Sequence, residues 1–245
     1  MKRTSIYTIT ALLMSASILS CSTSKNIKLL PELKNMRISN DLYLSEFPNP
    51  SNYGAPGGIF YITYTQMTLP KILDIYKSID KGELREIFIR ELSKQLKPAA
   101  EHVSINNPEK AHLVLEILKQ PYTKEDYKAN PRLSNYDFTK VREKLATEYI
   151  LEIYIFNWGH YYNNMHYTFI NGAATIYNIK TNTIAWRYYF SNSNPIGALT
   201  ISGVGVSTID KELVAKSLNA NIVTITSEVE QNLLTEFKEI NKPKN

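Results

Sequence analysis

Tyr149-Ile150-Leu151-Glu152-Ile153-Tyr154-Ile155-Phe156-Asn157-Trp158 alternates aliphatic with charged or aromatic side chains, and two similar runs follow it. Met165 to Ile179 comes after Asn163-Asn164, and Thr183 to Phe190 comes after Lys180-Thr181-Asn182. A period of two sends successive side chains to opposite faces of a strand, and Asn-rich junctions between such runs mark hairpins. The stretch therefore reads as an antiparallel three-strand meander. On its first strand Leu151, Ile153 and Ile155 suit a covered core, while Glu152, Tyr154, Phe156 and Trp158 share the other face. The third strand gathers Ile184, Trp186, Tyr188 and Phe190 on one face, with Arg187 and Tyr189 on the other. If helices cover only one side, Tyr154, Phe156, Trp158, Trp186 and Tyr188 form a candidate partner-binding surface, because contiguous aromatic patches mark interaction sites. The alternative is that the tether or the last helix covers them.

Upstream, Ile59 to Leu69 is rich in β-branched and aromatic residues and stops at Pro70, which reads as a strand. Asp80 and Glu83 have capping-box spacing, and Leu84, Ile87, Phe88, Leu92 and Leu96 recur on one helical face before Pro98. Ala111 to Leu118 is apolar on both faces, as in a central strand. Gln120 to Tyr136 reads as a loop, and Ser134 as the cap of a short helix using Phe138, Val141 and Leu145. Downstream, Ser191 to Val206 reads as a Gly/Ser/Asn loop. From Ile209 to Phe237 the apolar residues step mostly by four, giving one long amphipathic helix with Asn219-Ala220-Asn221 as a candidate break. The plan is α+β: helices packed on an antiparallel-rich mixed sheet, in one domain spanning 58–240 with a tail at 241–245.

The N-terminus carries an address. Met1-Lys2-Arg3, a short apolar run to Ser20 and small residues at its end describe a secretory signal peptide over 1–20. Ile18-Leu19-Ser20-Cys21 resembles a bacterial lipobox, and Cys21 is the only cysteine of the 245 residues. The resemblance implies a diacylglycerol thioether and an acylated amine on Cys21. Each buried methylene is worth ~0.8 kcal/mol, so two or three chains anchor a protein stably. Residues 21–57, with Pro48, Pro50, Pro56, Gly54 and Gly57 at the far end, read as the lipidated cysteine and its tether, with Leu42 to Leu44 as a stretch that can lie along the domain. Ser22 in place of an aspartate directs the expectation to the outer membrane, with the domain in the periplasm.

The helix followed by Ala111-His112-Leu113-Val114-Leu115, the Leu151-Glu152-Ile153-Tyr154 strand ending in Trp158, and the hairpin from Tyr177 to Trp186 resemble the ABC-transport auxiliary lipoproteins and their curli-secretion-like relatives. The likeness covers roughly Ile59 to Phe237. His112 and Asn178 stand where those families carry aspartates, and Asn182 where they carry glycine; asparagine tolerates left-handed φ. The resemblance implies an accessory or assembly role in an envelope machine.

Chemistry is sparse. The chain has no Gly-x-Ser-x-Gly elbow, Walker loop, His-Glu-x-x-His or zinc Cys/His pattern, so no cofactor, metal or catalytic residue is assigned. Gly203-Val204-Gly205 lacks the rest of a phosphate loop. With Asn163-Asn164 as a two-residue turn, His160 faces Tyr167 and His166 faces Tyr161, on opposite faces; a one-residue shift of register would bring the imidazoles together. Glu152, between apolar neighbours, reads as sitting on a partly exposed strand face. A 43% hydrophobic chain can build a core, and its 17 tyrosines favour strands and amphipathic surfaces. The net charge of +5 falls to +3 once Lys2 and Arg3 leave with the signal peptide, too little and too scattered for nucleic acid. The expectation is a non-enzymatic envelope lipoprotein with a membrane anchor and a protein or lipid partner. Two alternatives stay open: an envelope hydrolase or lipid-processing enzyme with dispersed acid/base residues, and an oligomeric pore. Oligomeric state is left open too.

Overall fold

The three-strand meander is the centre of the molecule and is longer than its sequence signals. The computed structural model describes residues 26–31, 42–54, 61, 64–96, 124–134, 136–138, 148–163, 165–198 and 209–242. Its elements are β1 (Leu42–Leu44), β2 (Ser51–Tyr53), α1 (Leu69–Lys77), α2 (Lys81–Gln95), α3 (Lys124–Ala129), β3 (Tyr149–Asn163), β4 (Met165–Asn178), β5 (Thr183–Ala198) and α4 (Lys211–Ile240). β3, β4 and β5 pair antiparallel in sequence order, and β1 and β2 add in parallel to successive parts of β3's outer edge. Helices α1, α2 and α4 pack on one face of this mixed sheet, giving an α+β fold.

The covered face holds the main core. Leu151, Ile153, Ile155 and Trp158 of β3 meet Ile72 and Tyr76 of α1, Phe88 and Leu92 of α2, and Leu218, Ile222, Ile225 and Val229 of α4. α2 starts where Asp80 accepts from the backbone N–H of Gly82 at 2.8 Å and Glu83 at 3.3 Å. α4 starts where Asp210 accepts from Leu213 N–H at 2.8 Å. It runs unbroken through Asn219-Ala220-Asn221 because Asn221 is satisfied within the core. Its Nδ2 donates to Thr168 Oγ1 at 2.8 Å, and its Oδ1 accepts from Asn194 at 2.7 Å.

The meander has three register shifts, and two of them change which side chains share a face around the site. Ile155 pairs with Gly172 and Asn157 with Asn171, so Phe156 is an extra residue on β3. Beyond the bulge the parity reverses, and Trp158 turns into the helix-covered core with the odd-numbered aliphatics, at 0% exposure. Ala185 is the extra residue on β5, between the pairs Ile176–Trp186 and Tyr177–Ile184. Ile184 therefore joins Phe138, Ile150, Tyr177 and Ile179 in a small cluster, while Trp186 enters the main core. The β4–β5 turn follows its sequence: Asn182 has φ 54°, and Asn178 Oδ1 accepts from the backbone N–H of Lys180 and Thr181.

Four further expectations change. The strand placed at Ile59 to Leu69 is instead helical where described: a π-helical turn at Tyr64–Thr68 leads into α1, with Pro70 in its first turn. Proline's fixed φ and missing N–H suit a helix start as well as a strand stop. The loop from Ser191 is strand up to Ala198, with Pro195 on the edge strand β5, where no ladder donor is lost. α3 lies within the stretch read as a loop from Gln120. Part of the stretch read as a tether is built into the domain, since Leu29, Leu44 and Phe47 are buried in the main core. Gly159, at φ 143°, permits the close approach of β2, because a Cβ there would meet the Ser51 backbone. Cys21, Ala111 to Leu118, Val141, Leu145 and Gly203-Val204-Gly205 lie outside the described residues.

Candidate functional site

The face opposite the helices carries a cavity of about 300 Å³. Two cross-strand rows make it. In one, Glu152 pairs with Thr175 and Thr175 with Arg187; in the next, Tyr154 pairs with Ala173 and Ala173 with Tyr189. Adjacent strands lie about 4.8 Å apart, so the short side chains of β4 leave a hollow between the long ones of β3 and β5. Tyr136, Phe156 and Tyr177 complete the lining.

Glu152 lies at the bottom, 3% exposed rather than on a partly exposed face. Tyr136 donates to its Oε1 and Tyr177 to its Oε2, each at 2.7 Å. Burial pushes the carboxyl pKa up, and the two tyrosine hydroxyls and Arg187 oppose that shift only in part. Burial, with Glu152 beside it, also raises the Tyr177 hydroxyl. Arg187 donates through Nε to Thr175 Oγ1 at 3.1 Å, through Nη1 to Tyr189 at 3.4 Å and through Nη2 to Tyr177 at 3.5 Å. Its guanidinium also lies 5.9 Å from the Tyr189 ring centroid. Tyr177 thus links the carboxyl and the cation.

The rim is aromatic and exposed. Tyr154 is 42% and Phe156 47% exposed, their rings 5.5 Å apart, and Phe156 stacks on Tyr189 at 5.9 Å. Of the five candidate interface residues, these two are on the open face. Trp158 is buried, donates from Nε1 to Pro48 O at 2.7 Å and meets Phe47 edge-on at 5.8 Å. Trp186 is 1% exposed on the helix face, and half-buried Tyr188 stacks beside it there, hydrogen-bonded to Glu228 of α4. The bulge at Phe156 separates Trp158 from Tyr154, and β5's even positions face the helices from Trp186 onward. Arg187 and Tyr189 are the residues the open face gains; their i, i+2 spacing on β5 was the available signal.

The histidines come together on the covered face. Tyr161 pairs with Tyr167 and Tyr162 with His166, one residue away from a two-residue turn at Asn163-Asn164. His160 Nε2 and His166 Nδ1 are 2.9 Å apart, and His160 Nδ1 lies 2.7 Å from Asn52 Oδ1. Since the Asn52 oxygen can only accept, His160 donates from Nδ1 and accepts from His166 Nδ1–H. Burial lowers the His160 pKa to about 3, with His166 adding to the shift, and lowers the His166 pKa to about 4. The pair is a neutral relay that pins β2 to the sheet. Among the described residues no group of three or more His, Cys, Asp or Glu could hold a metal ion, and no helix is long and apolar enough to cross a membrane.

No family model matches the chain, and no curated protein matches it. Among solved structures, it is similar to a Xanthomonas campestris protein of family model DUF330, at 10% identity and TM-score 0.39, covering 83% of this chain and 89% of that one. A PelC dodecamer from Paraburkholderia phytofirmans matches at 10% identity and TM-score 0.33, covering 84% and 95%. Lipoprotein GNA1162 from Neisseria meningitidis matches at 12% identity and TM-score 0.28, covering 76% and 97%. Identities of 10–12% and TM-scores below 0.4 make these distant likenesses.

Proposed function

We propose that this chain is a non-enzymatic envelope lipoprotein, anchored through Cys21 to the outer membrane on its periplasmic side, whose working surface is the open face of the sheet. One observation carries the binding role: Tyr154, Phe156 and Tyr189 surround an open cavity on the face opposite the helices. An aromatic rim over a polar floor is the makeup of a recognition site. The lipobox at Cys21 supports the location.

The Glu152 carboxyl in the cavity favours the enzymatic alternative, since a raised carboxyl pKa is what a general acid needs. Its geometry weighs against that role. Both Glu152 oxygens are occupied by tyrosine hydroxyls, and among the described residues the lining holds neither a second carboxylate nor a histidine to complete an acid/base pair.

Two measurements test the reading. Labelling with a clickable fatty acid should mark the wild type and leave Cys21→Ser unmarked; a labelled mutant overturns the anchor. Copurification from the native envelope should recover a partner, protein or lipid, with wild type and lose it with Tyr154→Ala/Phe156→Ala at unchanged fold. Turnover of a peptidoglycan, ester or phosphate substrate that is lost in Glu152→Gln would replace binding by catalysis.

A further inference from the structure

We propose that the cavity seats the phosphate of an anionic membrane phospholipid, with Arg187 holding the phosphate oxygens and Tyr154, Phe156 and Tyr189 lying along the glycerol and first acyl methylenes. The inference rests on the reading above that Cys21 carries the anchor.

Charge is the first argument. Among the described residues every hydrogen-bond partner of the Arg187 guanidinium is a neutral hydroxyl, and the two on its terminal nitrogens are long, at 3.4 and 3.5 Å. Among the described residues no carboxylate forms an ion pair with it within 4.0 Å. Glu152, the one acid among the described residues of the cavity, spends both oxygens on Tyr136 and Tyr177. An arginine stays charged, and its planar fork matches a phosphate through two parallel N–H bonds. An oxyanion is therefore the acceptor this guanidinium lacks.

Shape decides what carries the oxyanion. About 300 Å³ is the low end of small-molecule pockets, room for a headgroup but not for two acyl chains. The chains would leave across Tyr154 and Phe156, which are exposed at the rim. A free phosphate would use the cation and leave those rings unused. Tyrosines suit the boundary because the ring is apolar and the hydroxyl wet.

Position is the third argument. Ile27 and Arg187 exchange both backbone hydrogen bonds, at 2.9 and 3.0 Å, and Asn26 Oδ1 accepts from Tyr189 N–H at 2.9 Å. The chain from Cys21 thus joins the sheet on the same strand that supplies Arg187 and Tyr189, five residues after the cysteine. Fully extended, five residues reach about 18 Å. A diacylglycerol on Cys21 would hold the bilayer surface within that reach of this strand.

Native mass spectrometry of the full-length gene product, purified from membranes in non-ionic detergent, tests the site. Phosphatidylglycerol and phosphatidylcholine with identical acyl chains are the probes. The expected result is about tenfold preferential retention of phosphatidylglycerol, as for a charge-assisted contact, lost in Arg187→Gln. Tyr154→Ala/Phe156→Ala should lower retention of both lipids. Equal retention by the wild type, a preference that survives Arg187→Gln, or displacement of the lipid by equimolar inorganic phosphate overturns the proposal. If Arg187→Gln does not fold, Glu152→Gln serves instead. Removing the acid beside the cation should widen the preference, and an unchanged preference overturns the proposal. The same spectra weigh the acyl groups on Cys21, so failure of the anchor reading is seen separately.

Discussion

Replacing Trp158 with alanine tests whether the sheet's covered and open faces are divided where the bulge at Phe156 places them. The indole is 0% exposed, 5.8 Å from the Phe47 ring and 6.0 Å from the Tyr76 ring, and its N–H bonds Pro48 O at 2.7 Å. Truncating a buried tryptophan costs about 3–5 kcal/mol, and about 1 kcal/mol more follows from the lost hydrogen bond. A loss of roughly 5 kcal/mol is a large part of the 5–15 kcal/mol that holds a typical domain together. For a chain of this size it corresponds to a melting temperature roughly 10–20 °C lower. Tyr154→Ala/Phe156→Ala removes two rings of comparable size that are 42% and 47% exposed and leaves no enclosed void. Its cost should be about 1–2 kcal/mol, mostly apolar contact and the stacking on Tyr189. Urea unfolding followed by circular dichroism separates the two, provided m is unchanged. A Trp158→Ala protein within 1 kcal/mol of wild type would refute the division of faces, as would a double variant that costs as much as the single one.

Three other outcomes follow from buried polar groups. The folded-state pKa values of His160 and His166, about 3 and about 4, lie below the ~6.5 of an unfolded histidine. Stability from the pair is therefore present above pH ~6.5 and drains away as pH falls toward 4, by up to about 1.4 kcal/mol per pH unit for each histidine. Urea midpoints from pH 7 to 4.5 should show a flatter slope in His166→Gln, and an unchanged slope defeats the assignment. Glu152 has the opposite sign, because a raised carboxyl pKa gives stability that is present below the unfolded value of 4.5 and lost as pH rises. Glu152→Gln should accordingly gain stability relative to wild type at pH 7 and lose that advantage near pH 4; a larger gain at pH 4 than at pH 7 contradicts the buried carboxyl. Asn221→Leu, which removes the short acceptor of the Asn194 amide and one of the partners of the Thr168 hydroxyl, should lose about 1–3 kcal/mol by the same unfolding assay, and a neutral result would refute a satisfied network there.

Local chemistry was legible where it alone decides the structure. The alternation from Tyr149 to Phe190 gives the meander, the steps of four from Leu218 to Phe237 give α4, Asp80 gives the start of α2, and Asn182 takes the positive φ its turn requires. What stayed hidden depends on partners distant in sequence. The extra residue Phe156 is defined by pairing across to Gly172 and Asn171, and that single residue moves Trp158 from one face to the other. The histidine pair turns on one residue of register at the hairpin, which changes the relative faces of the two rings. Pro70 is ambiguous by itself, since the same ring geometry ends a strand or begins a helix. Glu152 was visible as an oddity, but its tyrosine partners and its distance from solvent come from Tyr136, outside the meander, and from Tyr177 on the next strand.

The order in which the sheet is assembled has a kinetic consequence. β1 and β2 pair with β3, Ser45 N–H reaches Ile153 O, and Ile27 pairs with Arg187, so the N-terminal segments depend on partners more than a hundred residues downstream. Such contacts carry a large loop-closure cost and form late. Residues 26–31 and 42–54 have none of these partners until the meander has been synthesised. On the proposed reading that Cys21 is lipidated during export, an enzyme acting at that cysteine would meet the chain before any of these pairings exist. Completion of β5 then fastens Asn26 and Ile27 and closes that interval.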